Sequence, residues 1–193
     1  MFPEIKEQPT RRRILWITPV AFAGAVALWS RRWDHSEASD TGQEVTIVQF
    51  DEAGKKLETS RVKKIVHSDA GWRKLLSSEQ YYVTRHASTD MAFTGTYYQQ
   101  HDPGLFRCIC CANALFSSEA KFDSGTGWPS FWAPIAEENI RKRSDGSLMM
   151  QRVEVLCTRC DAHLGHLFDD GPPPTNLRYC INESSLSFIP RKA

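Results

Sequence analysis

The residues best suited to covalent chemistry are one cysteine, Cys180, and two histidines upstream of it, His163 and His166. A cysteine attacks as its thiolate, and a nearby Arg178, or a histidine brought close by the fold, would lower the pKa of the thiol. A tight turn at Gly165 would let the two imidazoles converge. A thiol with imidazoles beside it is the minimum set for thiol chemistry with proton delivery.

Other interpretations of these three residues stay open on local sequence alone. A single cysteine is commonly a small buried apolar residue rather than a nucleophile. The histidines can also be hydrogen-bonded loop residues or metal ligands. Four other cysteines make the last alternative unnecessary.

Those four cysteines form two C-x-x-C pairs, Cys108 with Cys111 and Cys157 with Cys160. Four thiolates are the tetrahedral set that structural zinc prefers, so the spacing predicts one structural Zn²⁺ per chain, with no open coordination position for catalysis. Two disulfides or a redox C-x-x-C are the alternatives, but the βαβ context of a redox motif is missing. Cys110 lies between two ligands and is not expected to be one.

The elements that must position these residues are mainly β. Val and Ile predict a strand over Glu44–Phe50, and a turn at 51–54 followed by extended residues 57–66 completes a hairpin. Ser68 can cap a short helix that carries Trp72. We then expect short β-type runs, including Tyr81–Thr84, which would build an antiparallel sandwich or barrel.

The N-terminal residues 1–33 are predicted to be a targeting segment. Three arginines, Arg11 to Arg13, precede an apolar run over residues 14–29, a pattern typical of a twin-arginine signal or a plain signal anchor. Cleaved and anchored forms both fit. We therefore expect membrane contact by this segment and an exported or membrane-anchored protein with a periplasmic or otherwise extracytoplasmic domain. Residues 34–43 form the predicted linker, and residues 44–193 the catalytic domain.

Composition limits the partners. The chain has 193 residues, 24 basic and 23 acidic, with a net charge of +1. A general nucleic-acid binder needs a strong basic excess, so no nucleic-acid partner is expected. The length favours one domain beside the N-terminal segment, and we expect a monomer.

Several longer motifs accompany the cysteines and histidines. They are Tyr82-Val83-Thr84-Arg85, Phe93-Thr94-Gly95, residues 121–131 (KFDSGTGWPSF), His163-Leu164-Gly165-His166, and Arg178-Tyr179-Cys180-Ile181-Asn182. With both cysteine pairs in order, residues 72–188 resemble the methionine-R-sulfoxide reductases of the B type. The resemblance implies two packed antiparallel sheets, in a β-tent or sandwich with short N-terminal helices, and a four-cysteine zinc away from the active site.

The same resemblance implies roles for individual residues. Cys180 matches the nucleophile and His166 the main proton donor to the sulfoxide oxygen, with His163 assisting. Asn182 matches a polar residue that orients the histidine. Trp128 matches the aromatic wall against the substrate methyl group, although a core tryptophan is the alternative, and Asp170 is expected to help hold the histidine network. The implied partners are oxidised methionine in proteins or peptides and a thioredoxin-like reductant.

One departure from the family pattern concerns the return of the enzyme to its reduced state. Many relatives carry a resolving cysteine where this chain has Thr126. We therefore expect an external thiol to reduce the Cys180 sulfenic acid directly, with Cys110 as the alternative resolving residue. A second hypothesis for the whole chain is a non-catalytic zinc-bound β-fold that binds a ligand or protein.

Overall fold

The computed structural model describes residues 42–146 and 152–191. The predicted targeting segment over 1–33, and most of the predicted linker over 34–43, lie outside these residues. Within the described ranges, no helix is long and apolar enough to cross a membrane.

The chain begins with the predicted hairpin. Strands β1 (Glu44–Phe50) and β2 (Lys56–Lys63) pair antiparallel. Asn139 connects β1 to the rest of the fold, because its side-chain oxygen accepts the Val48 N–H at 2.8 Å and its amide donates to the Val48 carbonyl at 2.9 Å. The hairpin is therefore hydrogen-bonded to the segment that leads into the main sheet.

Two short helices follow, α1 (Asp69–Leu75) and α2 (Ser78–His86). Ser68 caps α1 by accepting the Gly71 N–H, as predicted. The prediction of a β-type run over Tyr81–Thr84 was wrong, since these residues lie in α2. Ser77 and Gln80 form a reciprocal capping box at its start, and that local signal outweighs the β propensity of Tyr81 and Val83.

The remaining strands form two antiparallel sheets. The three-stranded sheet has the order β11-β3-β4 and the six-stranded sheet the order β5-β6-β10-β9-β8-β7. Their bounds are β3 Gly104–Cys108, β4 Ala114–Ser117, β5 Lys121–Phe122, β6 Ser130–Phe131, β7 Ile140–Asp145, β8 Arg152–Cys157, β9 His163–Phe168, β10 Arg178–Ile181 and β11 Leu186–Pro190. Short 3₁₀ turns cover Tyr97–Gln99, Ser118–Ala120, Glu137–Asn139 and Glu183–Ser185.

The two sheets meet through aromatic side chains that are fully buried. Phe116 of β4 stacks on Phe131 of β6 with ring centroids 4.4 Å apart, and Phe106 of β3 meets the same ring edge-on at 5.0 Å. The core continues into the cysteines of both C-x-x-C pairs. The predicted mainly-β fold of two packed antiparallel sheets is confirmed.

Candidate active site and metal centre

The four predicted metal ligands come together in one buried cluster. The sulfurs of Cys108, Cys111, Cys157 and Cys160 all lie within 4.8 Å of one another. The Cys108 and Cys160 sulfurs are 3.7 Å apart, and the Cys111 and Cys157 sulfurs are 3.6 Å apart. A tetrahedral ion with metal–sulfur bonds of about 2.3 Å requires sulfurs separated by about 3.8 Å. The spacing therefore fits a shared metal ion and is far too long for disulfide bonds of about 2.05 Å.

Each cysteine pair occupies a turn of the same design. The Ala112 N–H donates to the Cys108 carbonyl at 2.8 Å, and the Asp161 N–H donates to the Cys157 carbonyl at 2.9 Å. Both residues that close these turns adopt left-handed backbone conformations, with φ of 58° at Ala112 and 56° at Asp161. The turns present two sulfurs each from opposite sheets, so one ion would tie β3 of one sheet to β8 of the other.

Cys110 is buried in the same turn as Cys108 and Cys111 but does not belong to the group of four. The prediction that Cys108 pairs with Cys111, not with Cys110, agrees with this geometry. Cys110 is 2% exposed, which leaves its thiol without an open path to solvent or to a partner protein.

The predicted nucleophile lies in the middle of the six-stranded sheet. Cys180 of β10 pairs with His166 on one neighbouring strand and with Ser130 on the other. Residues directly opposite each other in an antiparallel pair project from the same face. The half-buried Cys180 side chain therefore shares a face with the His166 imidazole.

A β-bulge brings the second histidine to this face. Residues three apart in a regular strand point to opposite faces, but the pairing of β8 with β9 shifts between Val155 and Leu156, which leaves Leu164 as an extra residue. The rings of His163 and His166 consequently lie 5.3 Å apart. The expected tight turn is in fact a bulged strand. Gly165, with φ of 154°, is needed there because a Cβ would lie 2.1 Å from the Cys180 carbonyl oxygen.

Each histidine has a carboxylate partner, and each carboxylate has an arginine. His163 Nδ1 lies 2.7 Å from Glu154 Oε1, and Arg143 binds the same carboxylate. His166 Nε2 lies 3.0 Å from Asp145 Oδ2, and Arg152 donates to that oxygen. The residue pattern of the sequence did not indicate either carboxylate. Glu154 lies opposite His166 in the sheet, and only the strand register brings it there.

The two histidine–carboxylate pairs differ in burial. The side chains of His163 and Glu154 are 3% and 6% exposed, whereas those of His166 and Asp145 are 14% and 20% exposed. Burial lowers the pKa of His163 below the ordinary 6.5, with the hydrogen bond to Glu154 opposing the shift. His163 is therefore predominantly neutral at pH 7, and the more exposed His166 is better placed to meet a substrate.

Burial also raises the pKa of the Cys180 thiol above the ordinary 9.0. The positive charge of Arg178 and hydrogen bonds from Thr126 and Arg178 oppose this shift. Arg178 is itself held by Asp170, whose two carboxylate oxygens each accept a hydrogen bond from the guanidinium at 2.8 Å. The local charges favour the thiolate, while the apolar surroundings disfavour it.

Asp170 is thus placed differently from the sequence expectation. Its carboxylate binds the Arg178 guanidinium beside Cys180, whereas the histidines bind Glu154 and Asp145. The bidentate match of carboxylate to guanidinium accounts for this preference. Any influence of Asp170 on the site runs through Arg178 and the Cys180 thiol.

Asn182 and Trp128 meet at a third residue, Asp90. The Asp90 N–H donates to the Asn182 side-chain oxygen at 2.9 Å, and the Trp128 indole N–H donates to the Asp90 carbonyl at 3.0 Å. The Asn182 amide also donates to the Leu164 carbonyl at 3.3 Å. Asn182 therefore contacts the backbone of the strand that carries the histidines, not the imidazole rings.

Trp128 also borders an open cavity of about 160 Å³. Met91, Gly95, Gly127 and Pro129 line the cavity with it, and Cys180 does not. A half-buried indole beside such a space is suited to hold an apolar group. The connection from Trp128 to the thiol runs through Ser130, whose hydroxyl donates to the Trp128 carbonyl at 3.1 Å and which faces Cys180 across the ladder.

The fold and site together define a class: a mainly-β protein with a buried cluster of four cysteines that could hold a metal ion, and a cysteine that faces a histidine across neighbouring strands. A family model described as "SelR domain" matches residues 76–190. Proteins named "Peptide methionine sulfoxide reductase MsrB" are similar to about two thirds of this chain. The one from Herminiimonas arsenicoxydans is 52% identical over 125 residues, covering 65% of this chain and 91% of that protein.

The corresponding protein of Hahella chejuensis is 55% identical over 125 residues, covering 65% of this chain and 90% of its own length. The protein of Thiobacillus denitrificans is 56% identical over 124 residues, covering 64% of this chain and 94% of that protein. The chain therefore belongs to the SelR family, the methionine sulfoxide reductases of the B type, and is an oxidoreductase. The hypothesis of a non-catalytic binding module is set aside on this ground.

Proposed function

We propose that this chain reduces the R-sulfoxide of methionine in peptides and proteins to methionine, with Cys180 as nucleophile, and that free methionine R-sulfoxide is a further substrate. The proposal rests above all on one observation: the Cys180 side chain faces His166 across the β9–β10 ladder. Nucleophile and proton donor then approach a bound sulfoxide from the same face of the sheet.

The reaction balances as an oxygen transfer. The Cys180 thiolate attacks the sulfoxide sulfur while a protonated imidazole gives its proton to the oxygen, which makes the sulfur electrophilic. The hydroxyl group then passes from the methionine sulfur to the Cys180 sulfur as the bond between the two sulfurs breaks. Methionine leaves with its sulfur reduced by two electrons, and Cys180 is oxidised by two electrons to a sulfenic acid. Two external thiol groups then return Cys180 to the thiol and yield one disulfide and one water.

Burial supports an assignment of His166 as the donor. His163 is buried, and burial lowers its pKa below the ordinary 6.5, which makes it the poorer proton donor near pH 7. His166 is more exposed, so its ring is the one that a substrate can reach, and its Nε2 lies 3.0 Å from the Asp145 carboxylate. In this account His163, fixed by Glu154, supports the ring of His166 from behind.

Substrate binding is assigned to the Trp128 side of the site. The indole would pack on the methyl group of the sulfoxide, and the cavity beside it would receive the rest of the side chain. Asn182, through its hydrogen bond to the Leu164 carbonyl, would hold the bulged strand in the conformation that presents both histidines. Asp170 would act by fixing Arg178 beside the thiol.

The reductant in this proposal is thioredoxin or another thiol that acts directly on the Cys180 sulfenic acid. Thr126 cannot form a disulfide. Cys110 is the alternative resolving residue, but its burial among the metal ligands speaks against it. Cys180, by contrast, is half-buried and open to attack by an external thiol.

We further propose Zn²⁺ as the ion of the four-cysteine cluster, because thiolate sulfurs at tetrahedral spacing favour it. Bound there, zinc would supply structural cross-linking and no catalytic step, since all four positions are filled by protein. The extracytoplasmic location, the catalytic domain over 44–193, the membrane contact of residues 1–33 and a monomeric state remain proposals that rest on the sequence patterns.

Stereochemistry offers the test of this function. Purified protein is incubated with a dithiol and a mixture of R and S sulfoxides of a methionine peptide, and the remaining isomers are separated chirally. Loss of the R form alone is expected, and Cys180→Ser should abolish it. Cys110→Ser should behave as the unsubstituted protein. Consumption of the S form, or of neither form by folded, metal-loaded protein, would refute the proposal.

A further inference from the structure

Three hydroxyl side chains form a continuous chain next to the reactive cysteine. The Ser124 hydroxyl lies 2.8 Å from the Thr126 hydroxyl and 2.7 Å from the Ser130 hydroxyl. The Ser130 hydroxyl in turn donates to the Trp128 carbonyl at 3.1 Å. Ser130 is fully buried, so this chain of hydrogen bonds is largely shielded from competing water at that end.

The Ser130 end of the hydroxyl chain adjoins Cys180, and Thr126 lies at the other end. Ser130 of β6 is the direct cross-strand partner of Cys180 on β10, so its side chain lies on the same face. Thr126 approaches from the loop before β6, and its hydroxyl is one of the two groups whose hydrogen bonds lower the pKa of the Cys180 thiol. Thr126, the position for which the sequence resemblance implies a resolving cysteine in many relatives, therefore carries a hydroxyl that belongs to a hydrogen-bonded chain beside Cys180.

The three hydroxyl protons can be arranged in two complete ways. In the first, Thr126 donates to Ser124, Ser124 to Ser130, and Ser130 to the Trp128 carbonyl, which leaves Thr126 free to accept the S–H proton. In the second, all three rotate: Ser130 donates to Ser124, Ser124 to Thr126, and Thr126 to the sulfur. The first arrangement complements a thiol, and the second complements a thiolate.

We propose that Thr126, Ser124 and Ser130 form a hydroxyl relay that reverses its direction when Cys180 ionises, so that Thr126 stabilises the thiolate by donating to its sulfur. Thr126 then contacts a reacting atom, and Ser124 and Ser130 act as positioning residues behind it. The relay adds no charge to the site. The inference requires only that Cys180 is the reactive thiol of the proposed function.

Such a donor matters because few charges face the sulfur. Arg178 on the same strand is a cation near it, and the negative charge of Asp170, which binds the guanidinium, opposes part of its effect. On β9 the facing titratable group is His166, with Asp145, Glu154 and His163 behind it. On β6 the facing residue is Ser130, which is neutral. A hydrogen bond donated to an ionised group is worth about twice a neutral one.

The test measures the rate at which iodoacetamide alkylates Cys180 as a function of pH, followed by peptide mass spectrometry. Because the pKa of Cys180 lies above 9.0, alkylation should increase with pH through and beyond that value. Thr126→Val keeps the shape and removes the hydroxyl, and we expect it to slow alkylation at pH 8 by about tenfold. Thr126→Ser should restore most of the rate. Ser124→Ala should give an intermediate loss of about threefold.

Thr59→Val on the exposed strand β2 is the matched control and should leave the rate unchanged. Folding of each variant is checked by circular dichroism and by metal content. An unchanged pH profile in folded Thr126→Val would overturn the relay, and so would an equal loss in Thr126→Ser. Alkylation involves no sulfoxide, so it tests the relay separately from the reductase activity. The relay can fail in the alkylation assay while the chirally resolved reductase assay succeeds. The relay can also hold while the reductase assay fails.

Discussion

Two regions of the molecule depend on cysteine. One is the candidate metal centre of four cysteines, and the other is the face of the six-stranded sheet that carries Cys180, His163 and His166, called the reactive face. The two regions differ in how they expose the sulfur atoms. The four ligand cysteines are completely buried, symmetrically arranged in two equal turns, and close enough to share one ion. Cys180 is half-buried, lies apart from the other cysteines, and is flanked by Ser130 and His166 on the two neighbouring strands. A closed set of four thiolates is suited to holding a structural ion, whereas a single half-buried thiol is suited to the nucleophilic role proposed for Cys180.

The contrast extends to how each region is held together. Each cysteine turn is complete within a few residues, because its hydrogen bonds return to the first cysteine of the pair. The reactive face depends on strand register, a bulge and hydrogen bonds from distant residues. We expect the cysteine turns to tolerate substitutions elsewhere in the chain. A site that depends on the register of several strands should be more sensitive to such substitutions.

The largest effect is expected from breaking the metal centre. Cys111→Ser removes one of four ligands, and because metal binding and folding are coupled, the loss should approach or exceed the roughly 5–15 kcal/mol that stabilises a domain of this kind. Metal content should fall from one ion per chain to nearly none, with loss of the cooperative thermal transition. Atomic absorption and differential scanning calorimetry measure both.

Cys110→Ser is the matched control for that experiment, because it changes the neighbouring buried thiol and leaves the four ligands intact. It should retain one ion per chain. If Cys110→Ser loses the metal and Cys111→Ser keeps it, the ligand assignment fails. If neither variant loses metal or stability, the cluster is not a structural metal site.

A smaller effect is expected at the reactive face from Asp145→Asn. The amide can still accept a hydrogen bond from His166, but it removes the negative charge 3.0 Å from the imidazole. Proton donation to the sulfoxide should weaken, with kcat at pH 7 falling by about tenfold and the loss shrinking in more acidic buffer. Steady-state assays across pH provide the measurement. The fold and the metal content should not change, in contrast to the loss of both that is expected for Cys111→Ser.

Glu137→Gln controls for the removal of a carboxylate, since Glu137 pairs with Lys142 at an exposed position. It should leave the pH profile of kcat as it is. The assigned role of Asp145 would be contradicted by an Asp145→Asn enzyme with full activity at pH 7, or by a loss of equal size at every pH.

The metal centre was predictable from sequence because its information is local. Two C-x-x-C pairs predict four ligands, and the structure shows that the chain brings the four sulfurs together although 45 residues separate Cys111 from Cys157. The mainly-β class was likewise predictable from short alternating strands. Helix α2 was missed because Ser77 and Gln80 act as a capping box, and β-type side chains in its interior concealed that signal.

The reactive face was only partly predictable. The family to which the chain belongs is confirmed, and the cysteine, histidine, asparagine and tryptophan motifs predicted the candidate residues, whose roles remain predictions. Their contacts depend on pairing between strands, which short-range patterns do not specify. Glu154 and Asp145 become partners of the histidines only through the register of β7, β8 and β9, and Asp170 binds Arg178 because of the turn that connects β9 to β10.

The most direct test of the central claim, that Cys180 itself takes the sulfoxide oxygen, is a single turnover without reductant. Reduced protein is mixed with excess methionine R-sulfoxide peptide, methionine is quantified, and a sulfenic-acid probe is located by peptide mass spectrometry. We predict one methionine per chain and the probe on Cys180, with no disulfide formed at Cys110. Methionine formed without oxidation of Cys180, or by the Cys180→Ser variant, would contradict the account.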